Sequence, residues 1–248
     1  MADILDVCIF AGELMLKNGA ETYRVEDTVT RMARSYHMAR VNVYVTPTAI
    51  IMTMRGEEEI VDHTELLRIT DRTTDLHKLS LVNEVSRQVA SHDIPLEIVK
   101  QKLQDINQST PIYPYWVQLL AAALGSGCFM ILFNGTWRDF LPAFIVGGGG
   151  YAVFLKVQQL VNVKFFSEVL ASFVIGLAAV FLIAIGLGKE LDKIIIGSVM
   201  PLVPGMAITN AVRDLMAGHL VSGVSRGVEA LLTAAAIGSG IAVVLTFL

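Results

Sequence analysis

Apolar positions recur at short, changing intervals through about residue 110, and beyond residue 115 they run together in long blocks. Leu5, Cys8, Gly12 and Met15 fall at helical spacing, so residues 3–17 read as a short amphipathic helix, ended by Asn18-Gly19. A second helix, over about residues 20–36, carries Val25, Val29, Met32, Ala33 and Tyr36 on one face. Its other face carries Glu21, Arg24, Asp27, Arg31 and Arg34. The period then drops to two. Val41, Val43 and Val45 alternate with Asn42, Tyr44 and Thr46, and Ile50, Met52 and Met54 alternate with Ile51, Thr53 and Arg55. After a turn at Gly56-Glu57-Glu58, residues 59–63 and 66–69 read as further strand, giving a small antiparallel sheet. Two more helices follow, one through Leu76, Leu79, Val82, Ser86 and Val89, the next through Leu96, Val99, Leu103 and Ile106. Asp75 and Asp93 are the expected caps. Thr110-Pro111-Ile112-Tyr113-Pro114 reads as a linker.

Five apolar segments come next, at about residues 115–133, 140–155, 165–187, 194–212 and 228–248. Roughly 20 apolar residues cross a bilayer as a helix. The second segment is short for this, and the others fit. Tyr113, Tyr115 and Trp116 would form an aromatic belt at the first span, with Trp137 just past its exit. The expected fold is therefore an α-helical polytopic membrane domain of five spans, residues 111–248, preceded by a small cytoplasmic α+β domain, residues 1–110.

Two features interrupt the apolar blocks. Gly147-Gly148-Gly149-Gly150 lies inside the second span. Each Gly costs about 1 kcal/mol against Ala in a helix. Close packing of neighbouring helices explains the run better than local unwinding does, and Gly125-Ser126-Gly127 and Gly238-Ser239-Gly240 read the same way. The fourth span is broken by Pro201 and Pro204-Gly205, which splits it into two half-helices. The second half, starting near Met206, would turn unpaired N–H groups and a positive dipole end toward a ligand, and both favour a carboxylate. Broken helices in transporters place substrate sites in this way. A simple proline kink is the competing reading. Asn210, one turn past the break, tips the balance toward a site, because an amide in lipid needs a partner.

Composition agrees with this division. The chain has 248 residues, 54% of them hydrophobic, with a mean hydropathy of +0.59. That is too apolar for an ordinary soluble domain, and most of the charged residues crowd into the first 115 positions. The net charge of −4 and the lack of a basic run argue against a nucleic-acid partner. Cys8 and Cys128 make no metal or redox spacing, and the His residues form no ligand motif, so neither a metal nor a cofactor is expected. The start of the chain is amphipathic and acidic throughout, unlike a signal peptide. Lys and Arg counts in the short loops are nearly balanced, so the unsignalled first domain sets the expected orientation: N-terminus in the cytoplasm, C-terminus outside. No phosphate-binding loop of an ATPase is present. An ion gradient or the substrate's own gradient would then drive any transport.

Candidate chemistry falls into three groups. Pro204, Gly205, Thr209 and Asn210 are the expected substrate contacts. Arg213, Asp214, Arg226 and Glu229 cluster around what would be an inner loop with His219. They read either as interfacial ion pairs or as gating and coupling groups, Glu229 being the best placed for coupling. Glu21, Arg24 and Glu26 form the densest polar cluster of the first domain, and spacing alone favours ion pairs on a helix face over a site. No nucleophile stands beside a base, so catalysis is poorly supported.

These residues resemble a known family. Gly19-Ala20-Glu21, Arg24-Val25-Glu26, Pro47-Thr48, Leu67-Arg68-Ile69 and Asp75-Leu76 resemble the N-terminal domain of the threonine/serine exporters. Pro204-Gly205, Thr209-Asn210, Arg213-Asp214, Gly218, Ser222-Gly223, Arg226 and Glu229-Ala230 resemble the membrane signature of that family. The resemblance implies secondary export of small carboxylates across a bacterial cytoplasmic membrane: threonine and serine in some members, succinate-like dicarboxylates in a split, two-gene form. Fused members carry a second membrane domain. A chain ending at Leu248 resembles the first half of the split form, which implies a second membrane subunit of the same family, inverted against this one, or else a homo-oligomer. A membrane-anchored hydrolase and a regulatory subunit acting through residues 1–110 are the alternatives.

Overall fold

The computed structural model describes residues 2–58, 60–91, 94–110, 113–161, 163 and 165–247. These fall into two compact units. One holds residues 1–110 with 206–228, the other residues 111–205 with 229–248.

The first unit is α+β. Helices α1 (Ala2–Lys17) and α2 (Thr22–Ser35) precede strands β1 (Met38–Thr46), β2 (Ala49–Gly56) and β3 (His63–Arg68). The strands pair antiparallel in the order β1-β2-β3. Helices α3 (Leu76–Ser91) and α4 (Leu96–Gln108) follow. The period-two pattern works as expected: Ile50, Met52 and Met54 are fully buried, while Ile51 between them is exposed. They meet Val25, Val29 and Met32 of α2 and Met15 and Leu16 of α1 in a single core. Cys8 sits in that core, and burial pushes its thiol up to about 12, so it remains a neutral, inert side chain. Asp75 caps α3 by accepting the backbone N–H groups of His77 and Lys78. Asp93 lies outside the described residues, as do Pro111 and Ile112 of the expected linker. Residues 60–62 are not strand: Asp62 there pairs with Arg40 and Arg55, and the ladder begins at His63.

The second unit is helical. It is built from α5 (Tyr115–Leu132), α6 (Trp137–Leu160), α7 (Phe166–Ala184) and α8 (Leu191–Val199), the last continuing into a single 3-10 turn, Met200–Leu202. Helix α9 (Gly205–Met216) then starts afresh and enters the first unit, and α10 (Leu220–Thr246) contributes to both. Among the described residues, four helices are long and apolar enough to cross a membrane, or five if α8 with its 3-10 turn and α9 count as one broken span.

Two boundaries differ from expectation. The second span is 24 residues long and takes in Trp137-Arg138-Asp139. Asp139 is fully buried there because its carboxylate accepts the Thr136 hydroxyl and the Lys189 backbone N–H, the latter at 2.6 Å. A paired carboxylate can thus extend an apolar helix. The fifth span begins at Leu220, eight residues early, so Arg226 and Glu229 are helical and do not lie in a loop.

The glycine run of α6 stays helical throughout, so it serves packing. A side chain at Gly147 would meet Ser126 of α5, and one at Gly150 would meet Ile175 of α7. Backbone also approaches closely at Gly197 of α8, where a Cβ would sit 2.7 Å from the Ser126 carbonyl oxygen. At Gly149 a Cβ would meet nothing. Gly197→Ala should therefore destabilise the unit by about 1–3 kcal/mol through overpacking. Gly149→Ala should be neutral or stabilising by up to about 1 kcal/mol. Thermal unfolding of the detergent-solubilised protein separates the two, and equal effects would remove the packing account.

Candidate functional site: a buried polar junction

The turn between α1 and α2 is shaped by Gly19, whose φ of +95° is a left-handed conformation that a side chain would strain. The Ala20 N–H returns to the Met15 carbonyl and the Gly19 N–H to the Leu16 carbonyl, which closes α1. The carbonyls of Gly19 and Ala20 are left turned away from the helix and need donors. Helix α2 starts immediately afterwards at Thr22, and its N-cap residue Glu21 makes no side-chain cap. This corner therefore offers two carbonyl acceptors and an uncapped, positive helix end.

Helix α9 and the first turns of α10 supply the complement. Asn210, Arg213 and Asp214 share one face of α9 by their spacing. The chain then turns at Gly218, φ +88°, into α10, which presents Ser222 and Arg226. Asn210 Nδ2 donates to the Gly19 carbonyl at 2.9 Å. Arg226 Nη2 donates to the Ala20 carbonyl at 2.7 Å. Asp214, fully buried, accepts the Thr22 N–H at 2.9 Å through Oδ1 and the Thr22 hydroxyl at 3.0 Å through Oδ2. Its Oδ2 also lies 3.2 Å from Arg226 Nε. Asp214 thus caps α2 from 192 residues away.

An outer ring surrounds this centre. Glu21 pairs with Arg213 and, at 3.4 Å, with Arg24. Glu26 accepts the Val45 N–H at 3.0 Å and lies 3.7 Å from His219 Nδ1. Ser222 donates to the Val45 carbonyl at 3.3 Å. Burial alone would raise the Glu21 carboxyl, but its own backbone N–H, Arg213 and Arg24 outweigh burial and hold it below the usual glutamate value. Burial raises Glu26; the Val45 N–H and His219 offset this in part, and Asp214 adds to it.

The structure thus joins two groups that the sequence left apart. Glu21, Arg24 and Glu26 meet Asn210, Arg213, Asp214 and Arg226. Pro204 and Gly205 sit at the break that starts α9, and Thr209 is exposed on α9. Glu229 is half-buried within α10, in the second unit. Sequence reasoning gave no role to Thr22, named Ser222 only as part of the family signature, and missed the two turn carbonyls. Backbone acceptors leave no trace in composition, although the Asn-Gly turn just before a polar helix start was a signal that could have been followed.

The long apolar helices define the class: a multi-pass membrane protein. Residues 6–248 match the family model of the threonine/serine exporters, ThrE, and the chain belongs to that family. A relative from Mycobacterium tuberculosis named as a threonine/serine exporter is 23% identical over 96% of this chain and 45% of its own length. One from Corynebacterium glutamicum with that name is 24% identical over 97% of this chain and 50% of its own length. The chain therefore spans about half the length of these two. A protein of Klebsiella aerogenes named as a probable succinate transporter subunit, YjjP, is 28% identical over 92% of this chain and 88% of its own length. No solved structure matches the chain. The family is one of transporters and not of enzymes, so the hydrolase alternative falls.

Two predictions follow from the junction's electrostatics. Asp214→Ala strands the Arg226 guanidinium in a buried site and should cost about 3–5 kcal/mol. Adding Arg226→Met should recover most of that loss, and additive losses in thermal melts would refute the coupling. The second concerns pH. With its pKa depressed, ionised Glu21 stabilises the folded state, fully above about pH 4.5, and this contribution is lost as the pH falls through the lowered value. With its pKa raised, ionised Glu26 subtracts from stability at neutral pH, and the penalty disappears in acid. Glu21→Gln should therefore lower the melting temperature at pH 7 and Glu26→Gln should raise or preserve it, both differences shrinking toward pH 4.

Proposed function

We propose that this chain is a secondary exporter, or one subunit of an exporter, for small carboxylates: threonine and serine, or succinate-like dicarboxylates. It works in a bacterial cytoplasmic membrane with its N-terminus inside and its C-terminus outside. The observation that carries the reading is the fresh start of α9 after the Pro204 break, followed by a polar face engaged by the α1–α2 corner. A helix start in an apolar setting suits a carboxylate. In this reading Pro204, Gly205 and Thr209 form the substrate contact. Asn210, at the inner end of that contact, passes from the Gly19 carbonyl to the substrate.

Arg213, Asp214 and Arg226 with Glu21, Arg24 and Glu26 then form a clamp that holds the first unit's corner on α9 until the transport cycle releases it. Glu229, within the apolar fifth span, is the coupling group. The five-span reading counts α8 and α9 as one broken span. An odd span number and the name of the YjjP relatives, transporter subunits, support pairing with a second, inverted membrane subunit of the same family, or self-association. A regulatory role for residues 1–110 fits the same clamp.

Export from cells loaded with threonine, serine or succinate tests the site. Asn210→Ala and Pro204→Ala should each cut efflux by roughly tenfold or more at unchanged expression, the effect of losing about 1.4 kcal/mol of interaction. Unchanged efflux of all three substrates in both variants would overturn the site.

A further inference from the structure

Outside the clamp, the first unit carries a polar groove of about 480 Å³ between α2 and α3. It is lined by Leu76, Leu79, Ser80, Asn83 and Glu84 of α3. Two guanidinium groups face it from different helices, Arg24 from α2 and Arg87 from α3. The Arg87 side chain makes no ion pair among the described residues, while Glu84 is engaged by Gln88 at 3.3 Å. Asn83 spends one amide N–H on the Leu79 carbonyl, which leaves its second N–H and its oxygen for a ligand. Converging positive charge in a concave, partly apolar site concentrates small anions, and guanidinium is the group best shaped for a carboxylate.

Arg24 belongs to the clamp as well. Its 3.4 Å contact with Glu21 is long, and its side chain is 40% exposed, so an incoming carboxylate can draw it away at little cost. Glu21, with one cation fewer, then holds Arg213 under different electrostatics.

We propose that this groove is a regulatory site for a small carboxylate with a short aliphatic body, held by Arg24 and Arg87, whose binding resets the Glu21–Arg213 pair. The coupling rests on the clamp reading given above; the binding does not. An amino acid would add an ammonium contact with Glu84, whereas a dicarboxylate would divide its two charges between the arginines.

The test is calorimetric titration of the whole purified protein with L-threonine, L-serine and succinate. At least one should bind in a form that Arg87→Ala weakens by about 10- to 100-fold, the loss of one charged hydrogen-bonding partner. Asn83→Asp, which places a negative charge in the groove, should weaken it similarly and guards against a misfolded first variant. Asn210→Ala should leave this binding intact. Glu84→Gln separates the ligand types: it weakens an amino acid and spares or strengthens succinate. In reconstituted vesicles, Arg87→Ala should shift the concentration for half-maximal export by roughly fivefold or more and leave the maximal rate in place.

Binding of all three compounds unaffected by Arg87→Ala and by Asn83→Asp overturns the groove, as does no binding beyond what Asn210→Ala abolishes. Loss of export in Asn210→Ala beside such a result leaves the exporter reading standing. Arg87-dependent binding without any export, whether from this chain alone or together with a second subunit of the family, would sink the exporter reading and spare the groove.

Discussion

A carboxylate with no exposure to solvent dictates the architecture around it. Moving an ion such as Asp214 out of water costs several kcal/mol even after relaxation. The fold meets that cost with a backbone N–H, a hydroxyl, a guanidinium and the positive end of α2. None of these comes from a neighbouring position in the chain except Arg226, twelve residues on and one helix later. Remove any one and the remainder is mispaired, because Arg226 and the start of α2 were themselves desolvated to serve it.

The same corner shows why the junction is specific. Donors on α9 and α10 meet acceptors on the turn, and the acidic acceptor on α9 meets the start of α2. A shift of one residue in α9 would turn Asn210 and Asp214 off that face together. The pairing is therefore all-or-none in register. The opposed shifts of Glu21 and Glu26, five residues apart on α2, follow from this geometry. Glu21 is faced by two arginines, while Glu26 is half-buried, with the Val45 N–H and a histidine facing it and the Asp214 carboxylate acting against it.

Asp139 repeats the principle in the second unit. It too is fully buried, and it takes the Thr136 hydroxyl below it and the Lys189 N–H from fifty residues further on. The long helices around it carry little polar information and pack by shape, with glycines at the closest approaches. Buried aspartates fix where the chain begins and turns, and small residues fix how near the helices come.

The sequence by itself determined the elements. Period and cap residues placed α1 to α4 and the strands within a few positions, and apolar length gave the candidate spans, because both signals are local. The break at Pro204 was equally legible, since proline cannot continue a helix. It also isolated the residues of the junction, from Glu21 to Glu26 and from Asn210 to Arg226, as two clusters. Only the tertiary structure decided that they are one. Spacing along a helix shows which side chains share a face and says nothing of what that face meets, and half of this junction is backbone: two carbonyls and an N–H that every residue type but proline could have supplied. The early start of α10 and the buried Asp139 were illegible for the same reason. A charge looks like the end of an apolar helix until its partner, far along the chain, is brought beside it.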